Sequence, residues 1–164
     1  PLWSRGLGDV YKRQGLELSA SWLMEGDGIS YPLAVNFTST DATFKNSSES
    51  DYFGVVAAGD DLPYIPDTQF SVVAGFISDS GMSGNARFVN VGSSCSIAAC
   101  GTYNEIESHS YLDLSLRKSV NDSTNVYVIL ENAFDAEDLI SRAPSEGARS
   151  QKPRTIKLGV SLDF

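Results

Sequence analysis

Thr155-Ile156-Lys157-Leu158-Gly159-Val160-Ser161-Leu162-Asp163-Phe164 ends the chain and alternates in polarity without a break. Ile156, Leu158, Val160, Leu162 and Phe164 share one parity, and Thr155, Lys157, Gly159, Ser161 and Asp163 share the other. Side chains of a β-strand point alternately to opposite faces, so this segment reads as a strand with one apolar and one polar face. Its length suits the ~9–11 residues that a tilted strand needs to cross a bilayer core.

The same period recurs upstream. Leu16, Leu18, Ala20 and Trp22 alternate with Glu17, Ser19 and Ser21; Leu33, Val35 and Phe37 with Ala34, Asn36 and Thr38; Phe70, Val72, Ala74 and Phe76 with Ser71, Val73 and Gly75. Leu112, Leu114 and Leu116 alternate with Asp113, Ser115 and Arg117, Val126, Val128 and Leu130 continue the pattern, and Ala86 and Phe88 repeat it more weakly. With the last segment these make seven candidate strands; helical spacing appears only weakly, around Ala136–Ile140. Short turns rich in Gly, Asp, Asn and Ser occur at Glu25–Gly28, Ser78–Gly81 and Asn121–Ser123,. Long links at Asp41–Leu62, Gly92–Glu107 and Asp135–Lys152 take every second connection. All long loops therefore emerge at one end of the sheet and all short turns at the other, the asymmetry of outer-membrane barrels. The expected fold is all-β: an antiparallel up-and-down transmembrane β-barrel, present in part. A soluble β-sandwich also alternates polarity, but small residues and isolated charges along whole polar faces favour a wet lumen.

Composition excludes several classes. No window approaches ~18 consecutive apolar residues, so a transmembrane helix is ruled out, while barrel strands average their polarity away. Mean hydropathy is −0.14 over 164 residues. A net charge of −9 argues against nucleic acid as partner,. The two cysteines, Cys95 and Cys100, lack partners at zinc spacing, and the chain has a single histidine, His109,. A local disulfide at a loop tip, in an oxidising compartment, is favoured over two free thiols.

Residues 1–14, PLWSRGLGDVYKRQ, lack the features of a signal peptide,. Asp9-Val10-Tyr11-Lys12-Arg13-Gln14 resembles the translated end of a transposon adapter used in sequencing libraries. The expectation is a non-native tail over 1–14 without integral pairing to the sheet, and the barrel segment over 15–164; a genuine polar tail is the alternative.

Four motifs, in order, resemble the end of TonB-dependent outer-membrane receptors. Gly59-Asp60-Asp61-Leu62-Pro63-Tyr64-Ile65-Pro66 resembles the family's Gly-x-x-Leu-Pro-Tyr-x-Pro segment, and Tyr111-Leu112-Asp113-Leu114-Ser115 its Tyr-x-Leu-Asp-Leu strand. Asn132-Ala133-Phe134-Asp135 resembles its Asn-Leu-Phe-Asp motif. Pro144, Gly147-Ala148-Arg149 and Pro153-Arg154-Thr155 resemble its Pro-x-Gly-Ala-Arg-Pro-Gly-x-Pro-Arg ending, common in receptors of the ferric-citrate type. Ala133 stands for the usual Leu, and Ser150-Gln151 for the usual Pro-Gly.

The resemblance implies a barrel of about 22 strands with a plugged lumen, of which this chain is the C-terminal third without the plug. It implies a receptor in the Gram-negative outer membrane that imports a scarce nutrient, such as a ferric chelate of siderophore or citrate type. TonB would be contacted through an N-terminal region, and terminal Phe164 would be read by the barrel assembly machinery. The motif positions Pro63, Tyr64, Pro66, Asn132, Phe134, Asp135, Gly147, Arg149, Pro153 and Arg154 are structural expectations. Pro63 and Pro66 suit a loop-to-strand junction, and Asn132 and Asp135 can cap their own backbone.

No nucleophile–base pair is present, so no enzyme activity, cofactor or metal is expected. His109 reads as a strand-end residue. Asp60-Asp61 and Glu137-Asp138 read as solvated loop charge rather than a cation site. Arg142, Arg149, Lys152 and Arg154 are expected to pair locally with Glu137, Asp138 and Glu146 rather than meet an anionic chelate or lipid phosphate. The alternatives are a porin-like barrel without energy coupling and a secreted β-sandwich binding module.

Overall fold

The chain was analysed as a computed structural model, which describes residues 11–50, 54–142 and 147–162. Thirteen strands follow one another: β1 Tyr11–Gly26, β2 Ile29–Phe44, β3 Ser48–Ser50, β4 Gly54–Val56, β5 Thr68–Ser78, β6 Met82–Val91, β7 Ser94–Cys95, β8 Glu105–Ile106, β9 His109–Asn121, β10 Thr124–Glu131, β11 Leu139–Arg142, β12 Ala148–Ser150 and β13 Thr155–Leu162. Seven of them form one antiparallel sheet in the order β1-β2-β5-β6-β9-β10-β13, each pairing with its sequence neighbour in that sheet. The remaining six form three small hairpins, β3–β4, β7–β8 and β11–β12, one in each long connection. No helix occurs among the described residues.

Register places the apolar parity of every strand on one face. Trp22, Leu33, Ala74, Ala86, Leu114, Leu130 and Ile156 lie opposite one another in a single row across all seven strands. Adjacent rows run Ala20–Val35–Val72–Phe88–Leu112 and Leu116–Val128–Leu158. The other face carries Ser19–Asn36–Ser71, joined by side-chain hydrogen bonds of 3.0 Å and 3.4 Å, and Asn85–Ser115 beside Ile129–Lys157.

The apolar rows are uncovered. Trp22 is 54% exposed and Leu158 80%. The buried apolar residues among those described, Ala42, Phe44, Val56, Ala98 and Ile106, belong to the loop end, and Phe44, Val56 and Ala98 pack together with Leu62. A sandwich would show the reverse, with its inner rows dry and its loops wet. Nothing among the described residues covers the apolar face of this sheet.

At the short-turn end the turns are tied to one another. Asp79 N donates to Gly28 O (2.9 Å), Ser119 N to Gly81 O (2.8 Å), and Lys118 Nζ to Ser80 O (2.5 Å).

Two expectations differ from the structure. Tyr11–Gln14 do not stay off the sheet: they extend β1 and pair with Asp41–Phe44 of β2. An extended chain continuous with β1 meets the open backbone groups of an overlong β2, so the pairing reflects that edge whatever the segment's origin. Pro1–Val10 lie outside the described residues. The weak helical spacing near Ala136–Ile140 yields no helix, because Leu139–Arg142 pairs with Ala148–Ser150. Each long link also carries its own hairpin.

Candidate functional site

At the long-loop end the polar face opens into a cavity of about 520 Å3, lined among others by Tyr64, Gln69, His109, Tyr111, Asn132 and Lys152. Its floor is the sheet: Gln69 from β5, Val91 from β6, Tyr111 and Asp113 from β9, and Glu131 from β10. Its walls come from the three long connections, through Tyr64 and Pro66, Ser94, and Ile140, Gln151 and Lys152. A second cavity of about 780 Å3 lies on the same face nearer the short turns, lined by Ser21, Asn85, Ser115 and Arg117 among others.

The first motif enters through Tyr64. Its backbone takes φ 61°, and its N–H donates to Cys95 O at 2.8 Å. Pro63 and Pro66 flank it where the loop returns to β5; neither has an N–H to leave unpaired. Cys95 and Cys100 are disulfide-bonded, with Cα atoms 5.6 Å apart, at β7 in the second long connection. Stabilisation from so small a ring is modest in chain-entropy terms.

The three further motifs prove to be parts of one knot. Asn132, 4% exposed with φ 49°, donates its backbone N–H to Asp113 Oδ1 (3.0 Å). Its side-chain amide donates to Ala136 O (2.9 Å) and Lys152 O (2.8 Å) and accepts from Ala136 N (3.2 Å). Ala133 N donates to Leu112 O at 2.7 Å. Asp135, φ 56°, receives Arg154 twice: backbone N at 3.2 Å and guanidinium at 3.1 Å. Phe134 meets Phe88 edge to face, ring centres 6.4 Å apart, on the apolar side. The strand motif around Asp113, the turn at Asn132–Asp135 and the return at Lys152–Arg154 are thus bonded to one another, which sequence reading did not anticipate. Single-residue motifs give no hint of which partner each will find.

The cations pair otherwise than expected. Lys152 bonds Glu131, which also holds Lys157 at 2.7 Å. Arg154 pairs with Asp135, and Arg142 lies over the Tyr103 ring at 4.6 Å. Glu137 and Asp138 are not the partners of these three, because the hairpin β11–β12 places Glu131 and Asp135 closer to the returning chain. Glu146, Pro144 and Phe164 lie outside the described residues. Gly147 takes φ 111° at the start of the return, and the backbone of Arg149 in β12 lies opposite Ser141 in β11. Pro153 accepts Thr155 Oγ1 on its carbonyl at 2.9 Å.

Gln151 was noted in the sequence only as a departure from the family ending. It is 8% exposed, donates to Ser110 O at 3.2 Å, and keeps a buried Oε1 without a donor. His109 opens β9 with Nδ1 3.3 Å from Glu107 O. Asp61 has its carboxyl raised above the ordinary range, first by lost hydration and then by Asp67, Asp41 and Asp60. Asp60 caps the backbone N–H of Ala57 at 2.8 Å. No group of three or more His, Cys, Asp or Glu side chains is placed to hold a metal among the described residues.

No family model matches the chain, and no curated protein matches it. Solved structures do. The siderophore receptor PiuA from Acinetobacter baumannii aligns with 93% of this chain and 22% of its own, at 16% identity and a TM-score of 0.77. The ferric yersiniabactin uptake receptor FyuA from Yersinia pestis aligns with 94% of this chain and 24% of its own, at 20% identity and TM-score 0.74. The closed form of the ferric-catecholate import receptor Fiu from E. coli K12 aligns at 19% identity and TM-score 0.65, over 94% of this chain and 28% of that one. The chain spans about a quarter of the length of these receptors, and the likeness establishes a shared fold.

Proposed function

We propose that this chain is the C-terminal barrel portion of a TonB-dependent outer-membrane receptor that imports a scarce nutrient, a ferric chelate of siderophore or citrate type. The observation that carries the reading is the sheet's polarity: a seven-strand apolar row left uncovered on one face, and a hydrogen-bonded polar ladder on the other. Lipid outside and water inside satisfy both faces at once. The structural neighbours named as siderophore and ferric-chelate receptors support the same class. In this reading residues 15–164 are barrel and 1–14 a non-native tail. The hairpins β3–β4, β7–β8 and β11–β12 face the outside of a Gram-negative cell, and the partners are lipid, chelate, TonB and the assembly machinery that reads Phe164. The role is transport, not catalysis.

The test is a whole gene carrying this segment, expressed in iron-starved Gram-negative cells and supplied with radio-iron as a catecholate or citrate complex. Uptake from the outer-membrane fraction that disappears when TonB is deleted is the expected result. Uptake indifferent to TonB would make the protein a porin-like barrel, and a product found soluble in the periplasm would make it a sandwich module.

A further inference from the structure

Among the described residues only Tyr64, Asn132 and Asp135 combine a side chain with positive φ. Asn132 accepts from Ala136 N four residues on, Asp135 accepts instead from the distant Arg154 N, and Asn and Asp are residue types that tolerate the left-handed region,. Tyrosine is not one of them, so its conformation is held from outside. The holder is visible: Tyr64 N donates to Cys95 O at 2.8 Å across two different long connections.

Cys95 O is itself fixed. Cys95 lies opposite Glu105 in the β7–β8 hairpin, and the disulfide to Cys100, five positions on, closes a small ring in the connection between the two strands. Within it Ser96 N and Oγ both donate to Asn104 O, at 2.9 and 3.1 Å. Ala98, between the cysteines, is buried against Phe44 and Val56 of the first long connection. Arg142 of the third connection lies on Tyr103 of the same hairpin. The disulfide hairpin therefore stands between the other two loops and touches both.

What this arrangement delivers is a tyrosine on the cavity wall. Tyr64 is 41% exposed, so packing does not account for its position. Strain observed beside a cavity, maintained by neighbours, is a mark of function. We propose that Tyr64 is a ligand-contacting residue of the loop-end cavity, and that the Cys95–Cys100 disulfide is its positioning device. The contact role rests on the receptor reading; the positioning role does not.

The experiment uses the full-length receptor from outer membranes, with four forms: wild type, Cys95→Ser/Cys100→Ser, Tyr64→Ala, and all three substitutions together. Tyr64→Phe serves as the conservative control, and protease-resistant barrel in each form establishes folding. Hydrogen exchange over 62–68 is expected to accelerate by about 10-fold when the disulfide is removed, with β5 and β9 unchanged. Affinity for iron(III) catecholate is expected to fall by roughly 3- to 10-fold for either change, with no further loss when they are combined, because coupled residues are not additive. Tyr64→Phe should keep most of the affinity. Unchanged exchange overturns the positioning role; additive losses, or full affinity in Tyr64→Ala, overturn the link between disulfide and ligand. A wild-type receptor that binds neither iron(III) catecholate nor iron(III) citrate overturns the contact role, TonB-dependent uptake decides the receptor reading, and exchange still decides the positioning role.

Discussion

At the scale of single residues the knot at Asn132 governs the end of the sheet. Replacing it with Ala removes two part-buried hydrogen bonds, to the carbonyls of Ala136 and Lys152, at about 0.5–1.5 kcal/mol each,. The left-handed backbone adds about 1–2 kcal/mol for Ala but almost nothing for Gly,. Asn132→Gly is therefore expected to be the milder of the two, as measured by thermal unfolding of the barrel in lipid vesicles. Asp61 gives a pH test. With its carboxyl held above the ordinary value of 3.8, the folded state binds the proton more tightly than the unfolded chain does. Stability falls as pH rises from that value through the raised one, since ionised Asp61 then meets Asp67, Asp41 and Asp60. Asp61→Asn should stabilise the loop end at pH 7, with the advantage gone below about pH 4; an advantage that persists in acid would point to another cause. Sequence singled out Asn132, Asp135 and Tyr64 by motif, but Asn132 finds Asp113 and Lys152 at 19 and 20 positions, Asp135 finds Arg154 at 19, and Tyr64 finds Cys95 at 31. Distances of that kind are settled by register, which a single sequence states only indirectly.

Among the elements, β13 carries the sharpest asymmetry. Leu158 continues the row Leu116–Val128 on the apolar face, whereas Ser161 faces a polar recess with Tyr127 and Arg117. Leu158→Arg should cost about 2–4 kcal/mol near the bilayer midplane; Ser161→Arg and Lys157→Arg should cost clearly less, read as folding yield into vesicles. Equal losses would mean that β13 does not divide lipid from water. Gly159 is a special case, because a Cβ there would fall 2.2 Å from Tyr127 Cζ. The ring occupies the space of the missing side chain, as aromatic cover of strand glycines does. Gly159→Ala should destabilise the barrel, and Tyr127→Ala in the same chain should recover most of the loss. The seven long strands were legible because each repeats period two over many residues. The loop hairpins were not: β3, β4 and β12 have three residues each, too few to show a period. In β11 the spacing of Leu139 and Ile140 after Ala136 imitates a helix.

As a whole the molecule has its dry core at one end and its uncovered apolar surface along the sheet. Refolding should therefore depend on detergent or vesicles, followed as recovery of β-signal by circular dichroism; a monodisperse monomer in plain buffer would contradict the outward assignment. The loop-end cluster of Phe44, Val56, Ala98 and Leu62 has a separate consequence. That cluster is held together by water, so urea weakens it and its melting carries a heat-capacity increment. In the receptor reading the strands are held by lipid, in which urea finds little newly wetted surface on which to act. The two ends thus answer to different solvents, and intermediate urea should yield a form with the loops melted while the ladder beneath them remains inserted.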